Sequence, residues 1–221
     1  MIVSHALLSR KSVRAYLNKE VSKEQIEKIL NLAKHAPSGV NTQPWKVAVV
    51  QGQSKKTLQE KLFQAFHTKA AHDMDYQYYP LEWKAPYAKR RAACGLQLYA
   101  SVGIKKEDKE RRLAQWAENF RAFDAPVMLF FYMDDCMQTG SFLDFGMFLQ
   151  SLMLAATEEG LATCAQGALA EYSTLTKQTL GIPSNTILVC GMALGYEDTS
   201  SPINQYRTPR LDLGEFVHFY N

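Results

Sequence analysis

The sequence predicts an α+β fold built around one sheet, and three observations lead there. Residues 127–132 form a continuous apolar run without polar alternation, as in a strand covered on both faces. Phe142, Leu143, Phe145, Met147, Phe148, Leu149, Leu152, Met153 and Leu154 make a helix that is apolar almost all round, so it belongs at the centre of the core. Elsewhere, helical periodicities outnumber four or five scattered strand-like segments.

Taken in order, Ser22, Lys23, Glu24 and Gln25 form a capping box. Ile26, Ile29, Leu30 and Ala33 then recur at helical spacing until Pro37 ends the helix. Residues 46–50 are a short β-branched strand, and residues 55–70 an amphipathic helix with Leu58, Leu62, Phe63 and Phe66 on one face. Periodicity fails over 72–87, where Tyr76, Tyr78, Tyr79, Trp83 and Tyr87 crowd together. So aromatic a stretch reads as an ordered loop or lid, an excursion over about 68–92, rather than a disordered linker. A helix through Cys94, Leu96, Leu98 and Tyr99 follows, then a charged one over 108–119. The apolar helix opens near Ser141 and Asp144 and closes at Gly160. Its apolar part falls short of the roughly 20 residues that span a bilayer. Residues 187–194 read as a second buried strand broken at Gly191, and 216–220 as a final strand after a turn-rich stretch. Without a repeat or linker, residues 1–221 read as one domain.

A net charge of +3 spread over 221 residues does not support a nucleic-acid partner. The basic stretch 84–91 is interrupted by Ala85, Pro86, Tyr87 and Ala88 and reads as solvated or substrate-facing. The N-terminus has neither a basic n-region nor a long apolar h-region, so no signal peptide is expected. Cys94, Cys136, Cys164 and Cys190 form no C-x-x-C and fit reduced thiols in a cytoplasmic protein. There is no G-x-G-x-x-G after a strand, no Walker motif and no H-E-x-x-H. His67 and His72, five apart, miss a common helical face. Each histidine is expected at the surface or in packing, and no metal is expected.

Arg10, Ser12 and Arg14 alternate near one end of the chain, and Arg207 and Arg210 lie near the other. Guanidinium forks with a hydroxyl suit a phosphate monoester. Taken singly, each patch reads as solvated surface; together they can converge on one anion. In the loop 37–45, Ser38, Asn41 and Gln43 either face a flat heterocycle or belong to a stiff connection plugged by Trp45. The two segments together suggest a phosphorylated planar cofactor that would carry the chemistry.

Arg10-x-Ser12-x-Arg14 is followed by Ala36-Pro37-Ser38-x-x-Asn41-x-Gln43-Pro44-Trp45. Next come Asn119-Phe120, Asp144-x-Gly146-x-x-x-Gln150 and Gly160-Leu161-x-Thr163-Cys164. Gly195-Tyr196, Asn204 and Arg207-Thr208-x-Arg210 close the series. In this order, over the whole chain, the sequence resembles the FMN-dependent nitroreductase family, most closely its nitroarene and nitrobenzoate reductase branch. The resemblance implies an intertwined α+β homodimer, with a mainly antiparallel central sheet flanked by helices and two FMN sites at the interface. Arg10, Lys11 and Ser12 would hold the phosphate and ribityl chain, with Arg207 and Arg210 closing on the phosphate. Arg14 would approach the N1/O2 edge, and Ser38, Gly39 and Asn41 would come from the partner subunit. Asn119 would face the pyrimidine edge. Gln166, Gly167 and Ala168 would lie under the flavin, next to Ala165, where many members carry proline.

The implied activity is reduction of a nitroaromatic, nitrobenzoate-like acceptor with NADH or NADPH, in two ping-pong half-reactions that share one open site. Tyr78, Trp83 and Tyr87 would stack on the acceptor or wall off the flavin, and Arg90 or Arg91 would pair with its carboxylate. Alternatively, these aromatics pack over the neighbouring subunit. Phe120 and Phe123 either line the channel or fill the core. Rival readings are a same-fold flavin enzyme acting on halophenols, quinones or enones, and a flavin-binding protein without turnover.

Overall fold

A computed structural model of the chain describes residues 2–220. The helices and strands run α1 (Val3–Ser9), α2 (Lys23–Ala33), β1 (Lys46–Val50), α3 (Gly52–His67), α4 (Tyr87–Ser101) and α5 (Lys109–Ala117). They continue through β2 (Val127–Asp134), α6 (Gly140–Glu158), β3 (Ala162–Gln166), α7 (Ser173–Leu180) and β4 (Thr186–Gly195). The four strands form one sheet in the order β1-β2-β4-β3, and every neighbouring pair is antiparallel. This is the α+β architecture the sequence predicts.

The unbroken apolar run in β2 has a direct cause. Val127, Leu129, Phe131 and Met133 join α2 and α6 in one core, while Met128 and Phe130 join α3 and the turns around Phe120 and Leu169 in another. Both faces of the strand are covered from Val127 to Phe131, so no polar residue falls on either face there. The capping box at α2 forms as expected, with Ser22 Oγ accepting the Gln25 N–H and Gln25 Oε1 accepting the Ser22 N–H. Gly160 follows α6 with φ +70°, a conformation that costs glycine little.

Four expectations are corrected. Strand β4 runs unbroken through Gly191, and its irregularity lies opposite the Phe131–Tyr132 step, where Val189 bulges out of register. Gly191 serves packing instead, since a Cβ there would stand 2.5 Å from Leu169 Cδ1. Residues 216–220 form no strand. The outer edge of β3 is already bridged by Ser12, and Phe219 and Tyr220 stand exposed. Helix α3 sits one turn earlier than expected, because the left-handed Lys69 at φ +54° ends it. The aromatic excursion is irregular only to residue 86, after which Tyr87 starts α4.

Candidate active site

The segment after α1 lies along the outer edge of β3. Ser12 forms a parallel bridge with Thr163, and the Val13 N–H donates to the Thr163 carbonyl at 3.0 Å. Val13 is buried, so Ser12 and Arg14 point to the opposite side. Arg10 closes α1 and meets arginines from the far end of the chain. The Arg207 guanidinium donates to the carbonyls of Leu8 at 2.6 Å and Arg10 at 3.3 Å, and to that of Ser9. It thereby caps the last turn of α1 with a cation, the sign the helix dipole favours. Arg210 donates to Thr208 Oγ1 at 2.8 Å and to the Pro209 carbonyl at 3.1 Å.

Burial pushes the Arg10 pKa down, and the charges of Arg210 and Arg207 push it further. Among the described residues, none of these three arginines has an ion-pair partner. Arg10 Nε is buried with no hydrogen-bond acceptor. Arg10 is thus a partly buried guanidinium that feels two like charges and has no internal anion beside it. Lys11 turns away from them, its Nζ 2.7 Å from the Glu197 carboxylate and 2.5 Å from the Asn204 carbonyl. Arg14 donates to the Ser12 carbonyl at 3.3 Å and to the Tyr206 hydroxyl at 3.4 Å.

Three residues further along β3, about 10 Å at strand spacing, the edge ends at exposed Ala165, buried Gln166 and half-buried Gly167 and Ala168. The Gln166 carboxamide donates to the Asn119 carbonyl at 2.9 Å and to Asn119 Oδ1 at 3.2 Å. Asn119 in turn donates to the Trp116 carbonyl at 2.9 Å. Gln166 Oε1 is buried without a partner. A cavity of about 270 Å³ opens here, lined by Tyr76, Tyr78, Phe142, Gly146, Leu149 and Gly167 among others. A Cβ on Gly167 would approach the Tyr78 ring to 3.0 Å, so glycine is what lets ring and backbone meet.

The aromatic segment forms a chain of rings. Trp83 lies 5.6 Å from Tyr79, Tyr79 4.6 Å from Tyr78, Tyr78 6.0 Å from Tyr76, and Tyr76 4.7 Å from Phe142. Arg91 sits over the Trp83 ring at 5.1 Å and Arg90 over the Tyr87 ring at 5.6 Å. Tyr78 therefore lines the cavity, Trp83 joins it through Tyr79, and Arg90 and Tyr87 pair with each other on the first turn of α4.

Other expected residues lie elsewhere. Phe120 and Phe123 are buried in the core below the sheet, Phe120 4.8 Å from Phe66 and 5.4 Å from Tyr172, and neither borders the cavity. The loop around Ser38, Gly39 and Asn41, expected to serve the partner's site, is tied to α6 of its own chain. The Gly39 N–H donates to the Asp144 carboxylate at 3.0 Å, and the Gln43 N–H to Ser38 Oγ at 3.0 Å. Val40, Asn41 and Gln43 are held left-handed, at φ +44°, +60° and +48°. Val40 is 99% exposed, an unusual state for a β-branched residue with that backbone. Among the described residues, no hydrogen bond links this loop to the guanidinium cluster.

Burial raises the pKa of the Cys164 thiol and pushes that of Cys190 up to about 12, so neither is poised as a nucleophile. Sequence reasoning placed Asn204 in the motif series but gave it no role. Asn204 is 1% exposed and accepts the Arg14 N–H at 2.9 Å, while its amide donates to the Ala15 and Asp198 carbonyls, each at 2.9 Å. Its place three residues before Arg207 was the only signal.

The Nitroreductase family pattern matches residues 7–196. A nitrobenzene nitroreductase of Ectopseudomonas oleovorans is 35% identical over 220 residues, 98% of this chain and 96% of its own length. A 4-nitrobenzoate reductase of Pseudomonas putida is 37% identical over 211 residues, covering 96% and 92%. Among solved structures, the FMN and NADPH-dependent nitroreductase NfnB of Sphigopyxis sp. strain HMH superposes with a TM-score of 0.96 at 37% identity, over 100% of both chains. Fold and sequence agree: the chain belongs to the nitroreductase family.

Proposed function

We propose that the protein is an FMN-dependent oxidoreductase that uses NADH or NADPH to reduce nitroaromatic, nitrobenzoate-like acceptors, with residues 1–221 acting as one FMN-binding domain. The observation that carries this reading is the meeting of Arg10, Arg207 and Arg210, unpaired by any carboxylate, at one end of a strand edge whose other end opens on an aromatic cavity. A phosphate fits the first end and a flat ring the second.

Arg10, Arg207, Arg210 and the exposed Ser12 hydroxyl would hold the phosphate, and Arg14 would bring a positive charge to the pyrimidine edge. Gln166, Gly167 and Ala168 would lay backbone beneath the ring, with Asn119 fixing the Gln166 carboxamide. Bound FMN would supply two-electron transfer between a nicotinamide and an electron-poor aromatic. Tyr76 and Tyr78 would exclude water and stack on the acceptor.

A second copy of the chain completes the site in this reading. Helix α4 runs 15 residues without one buried side chain. Leu96, Leu213, Phe216, Phe219 and Tyr220 also stand exposed, and so much apolar surface calls for a partner. The exposed loop of Ser38, Gly39, Val40 and Asn41 would then enter the partner's site. Sedimentation at twice 25.0 kDa is expected. Four free cysteines support a reducing, cytoplasmic setting, and no helix among the described residues is long and apolar enough to cross a membrane.

The test is an anaerobic absorption spectrum of the FMN-loaded protein. NADH or NADPH should bleach it and 4-nitrobenzoate should restore it. Bleaching restored faster by a quinone or a halophenol would move the substrate class, and no bleaching would leave only a flavin-binding module.

A further inference from the structure

The wall of the aromatic cavity is fastened to the sheet at one particular place. At the bulge in β4, consecutive backbone groups are engaged by consecutive residues of the aromatic segment. The Leu188 N–H donates to Asp75 Oδ2 at 2.7 Å, and the Val189 carbonyl accepts the Tyr76 hydroxyl at 2.6 Å. The same Asp75 oxygen accepts the Ser173 hydroxyl at 2.7 Å and lies 2.8 Å from the Lys177 ammonium. Lys177 is buried, and its ammonium also donates to the Thr186 carbonyl at 2.5 Å. Two residues earlier, Asp73 accepts the Thr174 N–H at 3.0 Å in the first turn of α7, and its own N–H donates to the Glu171 carbonyl at 2.9 Å. From this clamp the chain runs directly into Tyr76 and Tyr78, the two tyrosines of the cavity lining.

We propose that Asp75 is the positioning residue of the acceptor site: clamped by Lys177, Ser173 and the Leu188 N–H, it holds Tyr76 and Tyr78 as a fixed wall rather than a mobile lid. The inference deepens the proposed function and rests on the cavity being the acceptor's. A carboxylate that takes three donors in a half-buried site confines its backbone strongly. The ring next to it inherits that confinement, because the Tyr76 hydroxyl is docked one residue along the same bulge. Asp75 touches neither the cavity nor the strand edge, so it acts on the acceptor only through the rings.

The test compares the FMN-loaded parent with Asp75→Asn and with the double variant Asp75→Asn/Lys177→Met, which leaves no buried ammonium unpaired. Hydrogen exchange over residues 72–86 reports the clamp whether or not the protein turns over, and steady-state kinetics with 4-nitrobenzoate report the wall. The double variant should exchange these amides at least about tenfold faster. Its KM for 4-nitrobenzoate should rise about tenfold while kcat stays within about twofold, and FMN affinity should hold. Parent-like exchange and KM, even with a lowered melting temperature, would overturn the proposal, since a merely structural role predicts that result. If the clamp variants do not fold, Tyr76→Phe carries the same two readouts, and an unchanged KM there would also overturn it. Should the parent fail to reduce 4-nitrobenzoate while exchange still rises in the variant, the acceptor assignment fails and the clamp stands.

Discussion

The backbone N–H of Arg14 donates to the side-chain oxygen of Asn204 at 2.9 Å, joining segments 190 residues apart. Asn204 is saturated, since its amide also serves Ala15 and Asp198 while its carbonyl accepts from Lys11. It is the pin that brings the two arginine groups together. Asn204→Leu keeps the volume but strands the Arg14 N–H and takes one of two donors from each of the Ala15 and Asp198 carbonyls, which keep the N–H groups of Asp198 and Ser201. It should cost about 2–4 kcal/mol in urea unfolding and should weaken FMN binding as well. Lost stability with unchanged FMN affinity would mean that the arginines converge without the pin.

Phe120 lies in the core between Phe66 and Tyr172. Phe120→Ala should therefore lower stability by about 3–5 kcal/mol and leave the ratio of kcat/KM values for nitrobenzoate and nitrobenzene unchanged. A changed ratio in a variant of parental stability would put Phe120 back in the acceptor channel.

Gly191→Ala should destabilise the protein by about 1–3 kcal/mol through overpacking. The added Cβ would stand 2.5 Å from Leu169 Cδ1 and 2.7 Å from Leu169 Cβ. Leu169→Ala removes the first clash but keeps the second, so the pair should recover only part of the loss. Thermal unfolding of both variants checks this, and a neutral Gly191→Ala would contradict the packing.

Glu171 has one buried carboxylate oxygen without a hydrogen bond, and burial raises its pKa, an effect partly offset by His72. A carboxyl whose pKa is raised on folding destabilises the protein when ionised, above the folded pKa, and has no such effect below the unfolded value. Glu171→Gln should thus melt above the parent at pH 8, and the gap should close on acidification to pH 4. A gap that widened toward acid pH would reverse the sign and refute the burial argument.

How far these features could be read from sequence depended on where their partners lie. The capping box of Ser22 and Gln25, the two-faced run of β2 and the glycine after α6 are local signals, and each has its structural counterpart. Helices α1 and α7 and strand β3 were not read as elements. Helix α7 is Ser-Thr-Leu-Thr-Lys-Gln-Thr-Leu, weak in helix formers, and Asp73 supports its first turn from 101 residues away. Helix α1 buries only Ala6 and is capped by Arg207 from the other end of the chain. Strand β3, Ala-Thr-Cys-Ala-Gln, carries small side chains with no clear alternation. For the site, motif spacing pointed to the arginines. It left Phe120 and Phe123 open between channel and core, and it did not show Lys11 turned to Glu197 or the clamp on Asp75, because those outcomes are set by contacts between distant segments.

The central claim is that Arg10, Arg207 and Arg210 form a phosphate receptor. It is tested most directly by titrating the ligand-free protein and its Arg10→Gln variant with FMN and with riboflavin, which lacks the phosphate. Loss of one charged hydrogen bond, about 1.5–3 kcal/mol, should weaken FMN binding by about ten- to a hundredfold and leave riboflavin affinity unchanged. Equal weakening of both flavins, or of neither, would contradict the account.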